Sequence, residues 1–543
     1  MPSSRLVMVG LTGVLVATAV AVLAARQAPS ATVAGAPTAV PASSRPAGST
    51  TEATKLADDG VQANWVIQEN ALRGTTDWRI TGAPAHGFIE GFADQTYATT
   101  GQPVRLFVST SAASFRVEAY RVGYYGGTGG RLVWASPSFG GKAQPKCPLT
   151  AKINMVSCDN WAASMSMQVT QDFPQGDYLI KLIGADNEQS YVPLTVWSPG
   201  SHAAYLVKND VFTWQAWNPY GGYDYYTGVG DCPPGVYPLC TRSRVVSDDR
   251  PYADGQGAGD FLSDEAPLVR FLEQHGLDVA YVNDATVQDH PDVLAGHSAL
   301  LSLGHDECWT FAERTAITAA NGGGLNLAFF GASAVLRHVR TQPSPLGADR
   351  ELVDYRDPEE DPLNGKGNPR EVTSNTWGAP PASWPSTALV GEEYNGFLAP
   401  GVHESMTVVD PSAWIFNGTG VHDGMALPGV IASDVDSLEP GLTHPASVQV
   451  LAHSALPVKQ AVATSHTGTT FYSDMTYYTD PKSKAGAWDS GTNNWIPSLA
   501  DCTSTSCIAV AAMTSNVLWL FGQGPAGRLR PSVANWQTYY PRH

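Results

Sequence analysis

The sequence predicts a multidomain β plus α/β protein, in which an antiparallel β-sandwich precedes a flavodoxin-like α/β domain with a mainly parallel sheet. Two observations predict this fold class. Between about residues 64 and 196, short stretches of alternating apolar and polar residues are separated by turn residues, which is typical of a sandwich. After Pro199, short apolar strands alternate with amphipathic helices, which is typical of a parallel sheet with helices on both faces.

Composition and charge limit the class of protein further. A chain of 543 residues with 43% hydrophobic residues has room for about three domains with sizeable cores, so a disordered or fibrous protein is excluded. The net charge is −18 and no basic cluster occurs, which disfavours nucleic acid and anionic membrane surfaces as partners. Small neutral or cationic ligands fit this negative net charge better. The sequence does not determine the oligomeric state, and a homo-oligomer is possible.

Residues 1–25 are predicted to be a signal peptide or a signal anchor. Arg5 precedes an uncharged apolar run from Leu6 to Ala25 that ends in small residues, so cleavage and retention are both open. Residues 26–60 are mostly Ala, Pro, Ser and Thr and predict a disordered linker. We therefore expect a secreted or extracytoplasmic protein that touches the membrane only through an uncleaved N-terminal segment.

Export determines how the seven cysteines are interpreted. An oxidising compartment favours bridges between cysteines that are close in sequence, which predicts the pairs Cys147–Cys158, Cys232–Cys240 and Cys502–Cys507. Cys308 is then a free, mostly buried thiol. The CxxC spacing of thiolate zinc sites does not occur in the sequence.

Residues 61–199 are predicted to form the β-sandwich domain. Alternation is clearest at Val104–Val108, Phe115–Tyr120 and Gly176–Leu182. The turns are rich in glycine, and the segment holds no cluster of histidines or carboxylates of the kind that catalysis requires. A packing or binding module is therefore expected here.

Residues 200–543 are predicted to form the α/β domain. Its buried strands are expected at Ala203–Val207, Asp278–Val282, Ser298–Leu303 and Leu325–Phe330. Its helices are expected at Ser263–Gly276, Glu307–Asn321 and Val510–Leu520. An irregular insertion occupies about residues 343–445, after which Val448–Leu451 and Lys459–Ala463 are expected to rejoin the sheet.

A ligand site is expected outside the carboxyl ends of the first and third strands, which are neighbours in a flavodoxin-like strand order. The loop after the first strand, residues 209–226, is rich in Trp and Tyr, and the loop after the third reads Gly304-His305-Asp306-Glu307. Asp306 and Glu307 are equally explained as carboxylates at a helix N-terminus, and the tyrosines as aromatic packing. Tyrosine phenolates and carboxylates are also hard ligands that suit a ferric ion.

Several motifs together resemble one known family. They are Arg121-Val122-Gly123-Tyr124-Tyr125-Gly126-Gly127, Cys158-Asp159-Asn160-Trp161, Thr213-Trp214-Gln215-Ala216-Trp217-Asn218, Asp249-Arg250-Pro251-Tyr252, Gly259-Asp260-Phe261 and Gly304-His305-Asp306-Glu307. From about Asn64 to its C-terminus, the chain resembles the large (β) subunit of N,N-dimethylformamidase. The resemblance implies a β-sandwich followed by a glutamine-amidotransferase-like α/β domain, in which a mononuclear iron held by two tyrosines and a glutamate hydrolyses a small amide.

The resemblance also implies which residues bind the iron. The family's glutamate matches Glu307, and its second tyrosine best matches Tyr226. The other tyrosine falls among Trp214 and Trp217, and tryptophan cannot ligate iron. Either Tyr220 substitutes for the missing ligand or the metal site is incomplete.

The leading functional hypothesis is an exported amide hydrolase in which metal-bound water attacks a carboxamide carbonyl. The family's His-x-Glu places His305 and Glu307 in the site, with Asp306 between them, and a further active-site asparagine corresponds to Ser333. A small-molecule amide is then the expected partner. His305 is expected to move a proton or to orient the substrate.

Two other hypotheses stay open. A non-catalytic extracellular binding protein could use the aromatic loop 209–226 for a sugar or a peptide. Hydrolysis without metal through Cys308 is the third possibility, although Glu307 and Trp309 flank this cysteine where a nucleophile elbow has glycines at two-residue spacing.

Overall fold

The computed structural model describes residues 55–81, 88–232, 238–464, 468–500 and 502–541. The predicted export segment 1–25 and residues 26–54 of the predicted linker lie outside the described residues. The described chain contains many β-sheets, both mixed and antiparallel, and few helices.

Two sheets of the N-terminal part face each other across one hydrophobic core. The strands of this part are β1 Lys55–Ala57, β2 Gly60–Gln62, β3 Ile89–Ala93, β4 Tyr97–Ala98, β5 Pro103–Thr110, β6 Ser114–Val122, β7 Gly130–Ala135, β8 Phe139–Gly140, β9 Leu149–Thr150, β10 Met155–Val156, β11 Met165–Gln168, β12 Gly176–Gly184 and β13 Gln189–Val196. One sheet has the order β11-β5-β3, and the other has the order β4-β13-β12-β6-β7 with β8 beside β6. The three strands predicted from alternation lie within β5, β6 and β12.

Alternation in the sequence determines which side chains enter this core. In β5, Val104, Leu106 and Val108 are buried, whereas Arg105 between them is exposed. The buried residues pack against the inward face of the second sheet, including Val117 of β6 and Ile180 of β12.

The C-terminal part is built on a seven-stranded sheet. Its strands, with those of the smaller sheets around it, are β14 Tyr205–Asn209, β15 Val245–Ser247, β16 Val279–Asn283, β17 Ala299–Ser302, β18 Cys308–Thr310, β19 Asn326–Phe329, β20 Arg337–Ser344, β21 Gly347–Val353, β22 Glu393–Leu398, β23 Glu404–Thr407, β24 Ala426–Ile431, β25 Asp434–Ser437, β26 Gln449–Pro457, β27 Ala461–Thr464, β28 Thr470–Thr479 and β29 Gly486–Asp489. The sheet order is β16-β14-β17-β19-β29-β28-β26. The first five strands are parallel, β28 pairs antiparallel with β29 and β26, and β26 therefore runs in the direction of the first five. Strands β14 and β17 are neighbours, as the site prediction requires.

Both faces of this sheet are covered. The helices of the described chain are α1 Asn64–Asn70, α2 Val211–Trp217, α3 Ala266–Gln274, α4 Asp284–Asp289, α5 Phe311–Gly323, α6 Thr505–Phe521 and α7 Trp536–Tyr539. Tyr205 and Val207 of β14 belong to the hydrophobic cluster that includes α3 and α6. Leu206 between them belongs to the cluster that includes Ile317 of α5. Side chains of one strand therefore alternate between two apolar layers.

Two expectations about this part are wrong. The helix predicted from Glu307 begins at Phe311, because residues 308–310 pair as a short parallel strand with β20 and the hydroxyl of Thr310 caps the helix by accepting from the N–H of Glu313. The segment Ala461–Thr464 pairs with β22 in a separate three-stranded sheet, whereas β26 does join the large sheet.

The three predicted disulfides are present. Cys147–Cys158, Cys232–Cys240 and Cys502–Cys507 are bridged, and Cys308 is a free, buried thiol. Within the described ranges, no helix combines the length and the apolar composition that crossing a membrane requires.

A buried ion pair joins the N-terminal sheets to the α/β part. Arg121 of β6 donates from Nη1 to Oε2 of Glu273 in α3 at 2.8 Å, and neither side chain is exposed. We expect Glu273→Ala to lower the free energy of unfolding by about 3–5 kcal/mol, because the change leaves the Arg121 guanidinium buried without its carboxylate. Denaturant unfolding measures this. Arg116→Ala, which breaks an exposed pair with Glu118 on the same strand, should cost at most about 1 kcal/mol; equal effects of the two changes would contradict the prediction.

Candidate functional site

The predicted aromatic loop begins with a short helix rather than with irregular chain. Helix α2 starts directly after β14, and its Thr213 hydroxyl accepts hydrogen bonds from the N–H groups of Glu307 (3.0 Å) and Cys308 (3.1 Å). This hydroxyl fixes the turn after β17 against the helix after β14. The two loops that the sequence predicted to converge are therefore joined by direct contacts.

Two glycines allow a second turn to approach the first. Gly304 has φ +57°, which favours glycine, and a Cβ at Gly331 would stand only 1.6 Å from the Gly304 carbonyl oxygen. The chain after Gly331 then carries Ser333 at φ +59°. A non-glycine residue held in this conformation beside a crevice is a common feature of functional sites.

Glu307 is the centre of the site and is saturated with donors. Its Oε2 accepts from the Tyr226 hydroxyl at 2.5 Å and from Trp217 Nε1 at 3.1 Å, and its Oε1 accepts from Arg337 Nε at 3.0 Å. Burial opposes ionisation of Glu307, but the Arg337 and His305 cations outweigh burial and lower its pKa below the usual range. Glu307 is therefore a buried carboxylate anion.

Tyr226 is held on both sides of its ring. Its ring stacks on Trp217 with centroids 3.7 Å apart, and the Arg356 guanidinium carbon lies 4.4 Å from its centroid. Burial, together with the negative charge of Glu307, raises the pKa of Tyr226 well above the usual phenol range. The side chain is thus a neutral phenol that donates to Glu307.

His305 forms the other half of the site with Asp434. Its Nε2 lies 2.8 Å from Asp434 Oδ2, and the Ser333 hydroxyl donates to the same oxygen at 2.8 Å. Burial alone would lower the pKa of His305, but Asp434 outweighs it and the pKa rises to about 9. The His305 and Asp434 side chains keep 13% and 11% of their surface exposed, so this imidazolium–carboxylate pair is buried but not completely closed off from solvent.

Two predicted site residues lie elsewhere. The Tyr220 hydroxyl donates to Glu90 at 2.8 Å, and its ring packs in a cluster that includes Val156 and Trp161, so the structure does not bring Tyr220 to Glu307, and its role as a ligand stays a prediction. Its short helical turn at residues 220–222 directs the side chain toward the N-terminal sheets.

Asp306 is directed to a buried polar cluster rather than to Glu307. It is fully buried and accepts from Lys208 Nζ at 2.9 Å, from Trp309 Nε1 at 2.7 Å and from the Ser302 hydroxyl at 2.5 Å. These contacts favour a structural role for Asp306, and its expected catalytic role stays a prediction.

Sequence reasoning missed three charged residues of the site. Asp434 and Arg356 come from the predicted insertion 343–445, and Arg337 begins β20. No motif in the sequence connects these three residues with Tyr226, His305 and Glu307. The only hint was that a Pro-, Gly- and Asp-rich insertion followed strands that end at the expected crevice.

The donor set does not fit the ferric ion that the resemblance implies. Of the residues that the resemblance matches to iron ligands, Tyr226 and Glu307 meet, and the indole N–H of Trp217, which is a donor, also binds Glu307. Arg337 and Arg356 add two cations beside them. In the described parts of the chain, no group of three or more His, Cys, Asp and Glu side chains is arranged to hold a metal.

The other hypotheses are also limited by burial. Trp214 and Tyr225 of the aromatic segment are buried in the core, and Trp214 Nε1 donates to Glu265, so this segment does not present a continuous aromatic surface. Cys308 is fully buried, and burial raises the pKa of its thiol well above the usual value. A thiolate nucleophile at Cys308 is therefore disfavoured.

Comparison with known proteins gives one result for the family. The family model described as N,N-dimethylformamidase beta subunit-like, C-terminal, matches residues 116–507, which is more than half of the chain. The match includes most of β6, all of β7 to β29 and the residues Trp217, Tyr226, His305, Glu307, Ser333, Arg337, Arg356 and Asp434 of the site described above. A search of curated proteins found no match.

Proposed function

The chain belongs to the N,N-dimethylformamidase β-subunit-like family, and we propose that it is an exported hydrolase of small carboxamides that acts at the cluster of Tyr226, His305, Glu307 and Asp434. In this proposal the two facing sheets form a β-sandwich, and the seven-stranded sheet forms the glutamine-amidotransferase-like domain. The three disulfides support an oxidising, extracytoplasmic location.

One observation carries the proposal. Tyr226, His305 and Glu307 follow two different strands, yet the Tyr226 hydroxyl and His305 Nε2 lie 2.5 Å and 3.8 Å from the same Glu307 oxygen. Their perturbed pKa values are typical of groups that bind or transfer protons. The cluster sits at the carboxyl edge of the parallel strands, where ligands bind in this class of sheet.

The proposed reaction is a general acid–base hydrolysis. Water attacks the carbonyl carbon and its proton moves to Asp434, while the imidazolium of His305 gives a proton to the amide nitrogen as the C–N bond breaks. Asp434 Oδ2 is 2.8 Å from His305 Nε2, so the proton from water then restores the imidazolium. The products are a carboxylic acid and an amine, and no proton is gained or lost by the enzyme.

Glu307 has an organising role in this scheme. Because both of its oxygens already accept hydrogen bonds, it orients Tyr226 and Arg337 rather than acting as a base. The hydroxyl hydrogen of Tyr226 is engaged by Glu307, so in this scheme the guanidinium of Arg337, whose Nη2 does not bind Glu307, stabilises the negative charge that develops on the carbonyl oxygen. Ser333 holds Asp434 in place through its hydroxyl.

Release of amine from small amides tests the function. The purified protein is incubated with a panel of formamides, acetamides and N-alkylated amides, including N,N-dimethylformamide, and amine and acid are quantified. We expect equimolar release of both products from at least one member, and abolition of release by Asp434→Asn. No release from any member by correctly folded protein would contradict the proposal.

The pH dependence should follow the charge of His305. A histidine with its pKa raised to about 9 is the cationic acid below that pH and loses its proton above it. We expect kcat/KM to fall above about pH 9, tenfold for each pH unit. The fall is measured in buffers of constant ionic strength, and it should move to lower pH in Asp434→Asn if any activity remains, because the carboxylate that stabilises the imidazolium is gone. A profile that stays flat to pH 10 would argue against His305 as the acid.

A binding protein is the second candidate, and the indole of Trp217 beside Glu307 favours it. A tryptophan there completes a rigid stack with Tyr226 and Arg356, which resembles a preformed recognition surface more than a metal centre. Titration calorimetry with the same amides separates the candidates. Binding without turnover, unchanged by Asp434→Asn, would favour the binding protein.

A further inference from the structure

A group of oxygens with few partners lies beneath the candidate site, where β22, β28 and β29 meet. In the described part of the chain, Oδ2 of Asp489 makes no hydrogen bond, and the Glu392 carboxylate and the Thr476 hydroxyl have no hydrogen-bond partner other than each other. Glu392 and Asp489 are fully buried, and Thr476 is 1% exposed. Buried acceptors with too few donors are costly, so this group of oxygens needs a further partner.

The three side chains converge on one point of the fold. Thr476 and Asp489 are direct partners in the antiparallel pairing of β28 and β29. Asp489 Oδ1 accepts from the N–H of Gly491 at 3.0 Å, and a Cβ on Gly491 would lie 3.4 Å from Glu392 Oε2. A Cβ on Gly391, next to Glu392, would lie 3.4 Å from the Thr476 hydroxyl.

The charges of this group are not balanced by the protein. Within the described residues, no Lys, Arg or His forms an ion pair with Glu392 or Asp489, and the nearest charged groups are other acids, Asp474 and Asp436. His453 and the Tyr540 hydroxyl bind the neighbouring Asp474 instead. Burial is the main reason that the pKa of Glu392 is raised well above the carboxyl range, and repulsion from the neighbouring carboxylates raises it further.

We propose that Glu392, Asp489 and Thr476 form a binding site for one calcium ion. Two buried carboxylates match a double positive charge, and four side-chain oxygens, two of them from Glu392, provide the oxygen-only environment that calcium prefers. Waters and main-chain carbonyls complete the six to eight ligands that calcium takes. Only two of the three side chains are carboxylates, and the third ligand is the hydroxyl of Thr476.

The position of the ion gives it a structural role behind the crevice. Asp436 is the first charged neighbour of Asp489 and accepts from the N–H of Ser333, whose hydroxyl binds Asp434. A bound cation would remove the repulsion between the buried carboxylates and so fix the strands that carry these residues. Calcium should therefore stabilise the fold without entering the site of Tyr226, His305 and Glu307.

Calcium binding is tested on the purified protein after treatment with EDTA and dialysis. We expect calorimetry with CaCl2 to give about one ion per chain, and saturating calcium to raise Tm by roughly 5 °C over the EDTA-treated protein. Equal concentrations of Mg²⁺ should give a much smaller shift, because magnesium requires a smaller octahedral site. Metal analysis of the dialysed, calcium-loaded protein gives an independent stoichiometry.

The variant Glu392→Gln separates this site from general effects of calcium. It should abolish both the heat of binding and the calcium-dependent rise in Tm, while being at least as stable in EDTA as the parent, because it removes a buried charge. Glu393→Gln is the matched control, since the next carboxylate accepts from the Ser386 N–H and should leave calcium binding intact. A parent protein with no heat of binding and the same Tm in EDTA and in calcium would overturn the proposal, and so would an unchanged calcium response in Glu392→Gln.

Discussion

Replacing His305 by alanine is expected to lower kcat/KM for amide hydrolysis by roughly 10²–10⁴-fold, because the change removes the acid that protonates the leaving nitrogen. The pKa of His305 is raised to about 9 by Asp434 at 2.8 Å, so the parent enzyme holds this proton at neutral pH. Alanine leaves Asp434 without the cation and leaves no donor at that position. The loss should appear mainly in kcat, since the proton is transferred in the transition state.

Chemical rescue distinguishes a catalytic loss from a structural one. Added imidazole should restore part of the activity of His305→Ala and should have no effect on the parent enzyme. His422→Ala, a change at an exposed histidine, should keep activity within about twofold, because the His422 ring is bonded to the carbonyl of Asp423 rather than to the cluster. Full activity in His305→Ala would remove His305 from the mechanism.

Local pattern predicts several buried strands at the centre of the two facing sheets and of the seven-stranded sheet, but not most of the short strands around them. In β5 the exposed and buried positions alternate from Pro103 to Leu106, and in β14, β17 and β19 every position is buried. Burial selects apolar residues at most of the buried positions, so the pattern can be read from the local sequence. The start of α5 was missed because residues 308–310 pair with β20, about 30 positions later in the chain. A strand formed by such a distant contact leaves no periodicity in its own three residues.

The same distinction applies to the site. Tyr226, His305 and Glu307 were predictable, since each follows a predicted strand whose carboxyl end lies at the expected crevice. Asp434, which sets the charge of His305, lies more than 120 positions away in the irregular insertion. The two tryptophans of the aromatic segment were equivalent in the sequence, and only the contacts separate them: Trp217 reaches Glu307, whereas Trp214 reaches Glu265 in the core.

The charges around Glu307 show how its buried carboxylate is compensated by side chains of the protein itself. A lone buried carboxylate is unstable, and in a Tyr/Tyr/Glu centre the metal would supply the compensating charge. Here Arg337 supplies it through a 3.0 Å hydrogen bond, and Arg356 lies against the ring of Tyr226. The substitution at Trp217 and the two arginines are thus parts of one electrostatic arrangement.

Replacing Trp217 by tyrosine is expected to change the protein from one that retains no iron to one that binds about one ferric ion per chain. The new phenol would join Tyr226 and Glu307 and complete three anionic oxygen donors, which is a donor set that ferric ion prefers. Iron is added anaerobically as Fe²⁺, oxidised and dialysed, and the protein is then examined by metal analysis and by visible absorption. Bound tyrosinate should give a broad visible band in Trp217→Tyr and none in the parent.

Trp214→Tyr is the matched control for this gain of metal. Its indole lies in the core on Glu265, so the same substitution there should give neither iron nor a visible band. Adding Glu307→Gln to Trp217→Tyr should abolish binding by removing an anionic ligand, whereas adding Arg356→Gln should tighten binding by removing a cation that lies 4.4 Å from the Tyr226 ring. Stoichiometric iron with the tyrosinate band in the parent protein would contradict this account, because the parent would then hold the ion with one phenolate and one carboxylate beside two guanidinium groups.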